Sequence, residues 1–274
     1  MPTSLILIYV FVFGLIIGSF LNCLIWRLHE KIPLTPFVKG GNKWNRSYCP
    51  KCHKQIAWYD NIPVVSFIFL RGRCRQCGKS ISWQYPTVEL VTGILFVAAY
   101  YLNYELSIMN NGFIIHDSLF MIQLLRDFFL ISVMIVIFIY DLRWSEILDK
   151  VTLPACAAVL VINLVLGFNL WNLLISGIIG GSFFLIQFLI SNGKWIGGGD
   201  IRLGLLMGLA LGWPDVMLAI IISYFIGSIV GVGLILAGKK QWGSEVPLGV
   251  FLAVGTIISL FWHTQIINWY WNLF

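Results

Sequence analysis

LILIYVFVFGLIIGSFLNCLIW, residues 5–26, runs from Leu5 to Trp26 without one charged side chain. At about 1.5 Å of rise per residue, such a run crosses the roughly 30 Å apolar core of a bilayer as a single helix. It is too long for the apolar core of a secretory signal and has no basic segment ahead of it, so it reads as a retained first span. Similar runs recur along the chain, and eight spans fit, with approximate limits 4–26, 86–103, 120–140, 151–168, 170–190, 203–213, 216–237 and 248–270. The 274 residues are 59% hydrophobic and 11% charged, far from the balance of a soluble domain. In hydrocarbon every backbone polar group must find a partner within the protein, which favours helices. The expected fold is therefore an all-α polytopic membrane protein of about eight transmembrane helices. The chain divides into a first transmembrane helix (1–27), a polar loop (28–84) and a membrane-embedded bundle (85–274).

Charge is distributed unevenly. The net charge is +6, and eleven of the 18 Lys and Arg residues lie between Arg27 and Lys79, with Glu30 and Asp60 the acids among them. A basic loop beside a span is what the positive-inside rule places in the cytoplasm, so nucleic acid is not the expected partner. With that loop inside, Arg143, Lys150, Lys194, Arg202, Lys239 and Lys240 also fall on cytoplasmic connections. Arg126, beside Asp127, is the exception. The opposite loops (104–117, 169 and 214–215) carry no Lys or Arg, and both termini face outward. Trp269 and Trp271 suit an interfacial aromatic belt.

Four of the six cysteines form two Cys-x-x-Cys pairs inside the basic loop, Cys49 with Cys52 and Cys74 with Cys77. Two such pairs are the ligand set of a structural tetrahedral zinc site, with no coordination position left open for catalysis. A polar loop of this size builds little core and needs such a staple. Gly78 suits a knuckle turn, His53 is a spare, and Cys23 and Cys156 are small packing residues in apolar runs.

Lone acids at the membrane edge are expensive and become functional candidates. Asp141 ends the third apolar run, and Asp200 closes Gly197-Gly198-Gly199-Asp200 at the head of the sixth. The topology puts both at one depth on the cytoplasmic side. Facing carboxylates share one proton, so one can activate water while the other hydrogen-bonds a developing oxyanion. The glycines would let the backbone adopt conformations closed to other residues and let a substrate strand pass close by. Other readings stand beside this one. Asp200 also fits a helix cap, and Asp141 also fits a water-boundary acid like Glu146 and Asp149. Membrane acids further serve ion or solute transport, and the loop could be the docking surface of a scaffold. No Gly-x-Ser-x-Gly elbow is present, and His116 and His263 fall near the outer face, so a serine triad is disfavoured. Gly204, Gly208 and Gly212, and then Gly227 and Gly231, recur at four-residue spacing, which lets helix backbones approach closely. Glu89, at the start of the second span, could pair with a loop cation or face the active region.

Taken together, the motifs resemble the type IV prepilin peptidase family, the bifunctional leader peptidase and N-methyltransferase of pilus and type II secretion systems. They are Gly18-Ser-Phe-Leu-Asn-Cys-Leu-Ile-Trp-Arg27, the paired cysteines, Tyr85-Pro-Thr-Val-Glu-Leu-Val-Thr-Gly93, Asp141 with Ile147-Leu-Asp-Lys-Val-Thr-Leu-Pro154, and Gly197-Gly198-Gly199-Asp200. The resemblance covers nearly the whole chain. It implies that Asp141 and Asp200 are catalytic, with Gly197 and Gly199 in the active-site loop, as in similar intramembrane aspartyl proteases. It further implies prepilin or pseudopilin substrates, cleavage of a short basic leader at the cytoplasmic face of the inner membrane, and N-methylation of the new terminus from S-adenosylmethionine. The chain departs from the family pattern at Leu148 and Val250, where proline is usual, and at Arg202, where lysine is usual. These departures bear on substrate preference more than on protease chemistry.

Overall fold

A computed structural model describes residues 3–32, 47–111, 118–239 and 246–272. Expectations for loop residues 33–46, His116 and Lys240 lie outside them. The chain forms two compact units, Met1–Tyr101 and Leu102–Phe274.

The smaller unit is built on two long helices, α1 (Thr3–His29) and the first part of α3 (Gln84–Asn111). Glycines bring their backbones together. A Cβ placed on Gly14 would lie 2.7 Å from Gly93 Cα, and one on Gly18 would lie 2.7 Å from Glu89 Cα. In lipid such close packing substitutes for the water-driven force that joins helices elsewhere. Asn22 ties the ends, donating to the Tyr85 carbonyl at 3.1 Å and accepting from the Gln84 side chain at 3.2 Å. Between the helices the loop holds a 3-10 turn (Trp58–Asn61), a short helix α2 (Val65–Phe69) and two isolated antiparallel bridges, Tyr48 with Gln55 and Arg73 with Ser80.

The larger unit packs α4 (Ser118–Trp144), α5 (Asp149–Val165), α6 (Leu170–Ser191), α7 (Gly198–Leu211), α8 (Asp215–Leu236) and α9 (Leu248–Trp271). Among the described residues, six helices are long and apolar enough to cross a bilayer: α1, α3, α4, α6, α8 and α9. The expected fourth and sixth spans form α5 and α7, of 17 and 14 residues. At 1.5 Å per residue they rise about 25 and about 21 Å, short of the roughly 30 Å core, so length alone supports six of the eight expected spans.

Short α7 lies at the heart of this unit. Leu203, Leu206 and Met207 are fully buried against Leu130 and Met134 of α4, Val159 of α5, Phe184 of α6 and Leu252 of α9. The expected glycine face is real on α7. A methyl group on Gly204 or Gly208 would collide with the carbonyls of Gly180 and Ser176 on α6. Gly212 ends the helix instead, at φ +78. On α8, Gly227 abuts Phe251, whereas a methyl group on Gly231 would meet no atom within 4 Å among the described residues.

The end of α7 is held by a buried polar chain. The Asn163 amide donates to the Leu209 and Ala210 carbonyls at 2.8 and 3.2 Å, and its oxygen accepts from Arg126 at 3.3 Å. Arg126 pairs with Asp127 at 2.7 Å, and Asp127 accepts from Asn103 at 2.8 Å. Arg126, the exception to the charge pattern, is thus a buried structural cation. Replacing Gly208 with valine forces α6 and α7 apart. Overpacking of this kind costs about 1–3 kcal/mol, so the variant unfolds several degrees lower in a thermal scan in detergent.

Candidate active site and metal centre

Asp141 lies in the last turn of α4 and is 5% exposed. Its Oδ2 accepts the Val250 N–H at 3.0 Å, and the Gly249 N–H also bonds to it. Both donors belong to the first turn of α9, where N–H groups have no partner inside the helix. Asp141 therefore serves as the acceptor for the start of α9, a place where helix polarity favours negative charge.

Asp200 occupies the third position of α7 and is 7% exposed. Its Oδ2 reaches back to accept the Gly197 N–H at 3.0 Å. Gly197 is the cap residue and has no side chain to contribute, so the acid supplies that half of a capping box alone. Asp200 lies outside the six spans. Burial pushes its carboxyl up to about 7, the Gly197 N–H opposes the rise, and the charge of Asp141 adds to it. The two acids are therefore within electrostatic reach.

Ile147 connects them. A Cβ on Gly199 would sit 2.8 Å from the Ile147 Cβ, and a Cβ on Gly249 would sit 3.0 Å from Ile147 Cδ1 and 2.9 Å from Asp141 Oδ2. The loop between α4 and α5, the head of α7 and the head of α9 thus meet at the aspartates, and Gly199 and Gly249 are what allow the approach. This corrects the conformational part of the expectation for the glycine run. Gly197 is extended (φ −78, ψ 155), and none of Gly197, Gly198 and Gly199 has a positive φ. Close packing, not unusual backbone conformation, requires glycine at 199.

The water-boundary reading suits Glu146 and Asp149, which are exposed, but not the buried Asp141. Asp149 pairs with Arg202, an exposed pair of small energetic weight. The capping reading of Asp200 holds geometrically and is compatible with chemistry. Sequence reasoning missed Ile147, Gly249 and Val250 as partners of the acids. The signal that could have found the last of these is its departure from the family pattern: at position 250 valine provides an N–H that proline lacks.

In the smaller unit, the Sγ atoms of Cys49, Cys52, Cys74 and Cys77 lie within 4.8 Å of one another, with Cys49 and Cys77 at 4.0 Å. Four thiolates around a tetrahedral metal at about 2.3 Å would stand about 3.8 Å apart, so the set fits a divalent metal that prefers sulfur. Both knuckles repeat one geometry. Cys49 N–H bonds to the Lys54 carbonyl at 3.0 Å, and Cys74 N–H bonds to the Lys79 carbonyl at 2.9 Å. His53 and Gly78 take equivalent left-handed positions, at φ 55 and 68, and His53 is outside the four-sulfur set. Arg75 of the second knuckle is clamped by Asp60 at 2.7 Å.

Comparison with known proteins gives a consistent result. Residues 12–103 match the Bacterial Peptidase A24 N-terminal domain, and residues 128–232 match the Type IV leader peptidase family. A protein of Aeromonas salmonicida (strain A449), named prepilin leader peptidase/N-methyltransferase, is 30% identical over 95% of this chain and 92% of its own length. Proteins of the same name from Bacillus subtilis (strain 168) and Legionella pneumophila are each 29% identical. They cover 95% and 94% of this chain and 96% and 92% of their own lengths. No solved structure matches the chain.

The burial of Asp200 has a stability consequence whose sign is fixed. Its carboxyl is raised from 3.8 to about 7 in the fold, so the native state holds a proton that the unfolded chain releases, and stability falls as pH climbs between those values. The neutral, isosteric Asp200→Asn escapes this loss. Its melting temperature exceeds that of the parent at pH 8 and equals it at pH 4 or below; equal values at both would refute the assignment.

Proposed function

Since the chain belongs to the type IV leader peptidase family, we propose that Asp141 and Asp200 are the catalytic pair of a prepilin leader peptidase and N-methyltransferase. The enzyme cleaves the leader peptide from prepilins and N-methylates the residue so exposed. It is a multi-pass membrane protein. The observation that carries the catalytic assignment is that two buried acids are each held by backbone N–H groups at a helix start, and that Gly199, next to Asp200, and Gly249, against Asp141, both close on Ile147.

Two close carboxylates keep one proton between them. The ionised partner accepts a proton from water as the water oxygen bonds to the scissile carbonyl carbon. The neutral partner hydrogen-bonds the carbonyl oxygen as negative charge develops there. Collapse of the tetrahedral species breaks the C–N bond, and the departing nitrogen takes a proton from the pair. The backbone bonds to Asp141 and Asp200 fix both carboxylates in position throughout, which avoids reorganisation in the transition state. The methyl donor of the second reaction would be S-adenosylmethionine, which supplies an electrophilic methyl group to the amine. We assign the tetracysteine metal as zinc, in a structural role, because a full sulfur shell leaves no open position. The charge bias supports placing the loop and the aspartate end of the bundle on the cytoplasmic side, with functional divisions at 1–27, 28–84 and 85–274.

The transporter alternative has no support among these relatives, which carry a peptidase and methyltransferase name. Purified protein incubated with a prepilin is expected to release the leader, and to add one methyl mass to the product when S-adenosylmethionine is present. Asp141→Asn and Asp200→Asn each abolish release by more than about a thousandfold, in the range seen when one member of a catalytic set is removed, while remaining folded. Full cleavage by either variant would overturn the pair. Elemental analysis of the native protein finds one zinc per chain, and Cys49→Ser with Cys74→Ser removes it and destabilises the loop.

A further inference from the structure

Within the smaller unit, helix α2 leaves large apolar side chains uncovered. Phe69 is 82% exposed and Ile68 is 66% exposed, on a helix of sequence Val65-Ser-Phe-Ile-Phe69. Trp83, the residue before α3, is 74% exposed. Arg71 and Arg73 follow α2 directly and are exposed as well. Apolar and basic side chains lie together over one short stretch.

The depth of this stretch is set by an unusual anchor. Val64, immediately before α2, has φ 60 and ψ −49. A β-branched residue there is strained, and the Val65 N–H closes a γ-turn on the Pro63 carbonyl at 2.5 Å. The conformation is held from the membrane side. The Val64 N–H donates to Glu89 Oε2 at 2.7 Å, and Glu89 is buried on α3 where it packs against Gly18 of α1 and bonds to Ser19. Among the described residues Glu89 pairs with no loop cation; it accepts the backbone of the loop instead. Helix α3 begins at Gln84. Five residues further in, at 1.5 Å each, Glu89 lies about 7.5 Å along the helix from its start. Bonding Val64 to it places the start of α2 level with the first turns of a membrane helix. The Phe67 ring, 5.0 Å from that of Trp83, pins α2 at the same level.

We propose that α2, Trp83 and Arg71 to Arg73 form an interfacial anchor that seats the tetracysteine module on an anionic phospholipid surface. Ile68, Phe69 and Trp83 enter the boundary between headgroups and acyl chains, as the apolar face of an in-plane helix does. Arg71 and Arg73 extend to lipid phosphates while their aliphatic stems cover apolar surface. Glu89 is a positioning residue in this device, fixing the height of α2 through the strained Val64 turn. The surrounding loop is rich in Lys and Arg, so its charge complements an anionic leaflet and repels a basic peptide.

The test uses the full chain in nanodiscs of phosphatidylglycerol or of phosphatidylcholine. A photoreactive benzoylphenylalanine placed at Phe69 is expected to form adducts whose added mass is that of a phospholipid. Amide exchange over residues 65–71 is expected to slow several-fold in phosphatidylglycerol relative to phosphatidylcholine. Arg71→Gln with Arg73→Gln removes that difference while the metal content stays unchanged, which separates loss of lipid contact from collapse of the loop. Adducts confined to this chain or to an added prepilin, no adducts at all, or equal exchange in the two lipids would each overturn the proposal.

Discussion

A helix end buried in protein finds no water, and the larger unit is organised around that shortage. The first N–H groups of α9 are taken up by Asp141, and the cap N–H of α7 by Asp200. The last carbonyls of α7 are taken up by Asn163, which is itself held by Arg126 and, beyond it, Asp127 and Asn103. A buried polar group left without a partner costs about 1–3 kcal/mol, so each of these side chains matters to folding before any chemistry is considered. The same bonds immobilise the two acids. Helix termination and preorganisation of the proposed catalytic pair are met by the same atoms.

The position of α7 follows from close packing as well. Its glycines meet the backbone of α6, its leucines fill the centre of the unit, and its length stops it short of a full crossing. Asp200 therefore stands at a depth fixed from both ends. Gly199 and Gly249 remove the side chains that would hold Ile147 and Asp141 away, so three chain segments close on one patch. In the proposed reaction, a peptide bond presented there would meet two acids whose oxygens are already oriented by backbone donors.

Much of this was legible in the sequence because the signals were local or compositional. Long uncharged runs marked the spans, paired Cys-x-x-Cys steps marked the four-sulfur cluster, and isolated acids stood out against an apolar background. What was not legible depends on contacts far apart in sequence. The partner of Asp141 lies 109 residues away, and nothing local to Arg126 announces that Asn163 receives it. Glu89 had two open readings because its acceptor role depends on Val64, a residue whose strained turn has no sequence signature beyond Pro63. The glycine run misled for a related reason. Glycine permits both unusual conformation and close approach, and only the position of Ile147 shows that position 199 uses the second. Helix length was less legible than apolar character, because the segments of α5 and α7 are rich in apolar residues yet form shorter helices packed within the bundle.

The central claim is that Asp141 and Asp200 act as one proton-sharing unit. Infrared spectroscopy of the carboxyl C=O stretch, on detergent-solubilised protein titrated from about pH 4 to about pH 9, tests it without substrate. The account predicts one carboxyl that stays protonated near neutral pH, absent from the Asp200→Asn spectrum and titrating at lower pH in the Asp141→Asn spectrum, where the neighbouring charge is gone. Two carboxyls that lose their protons independently in the ordinary acid range, each unaffected by replacement of the other, would contradict it.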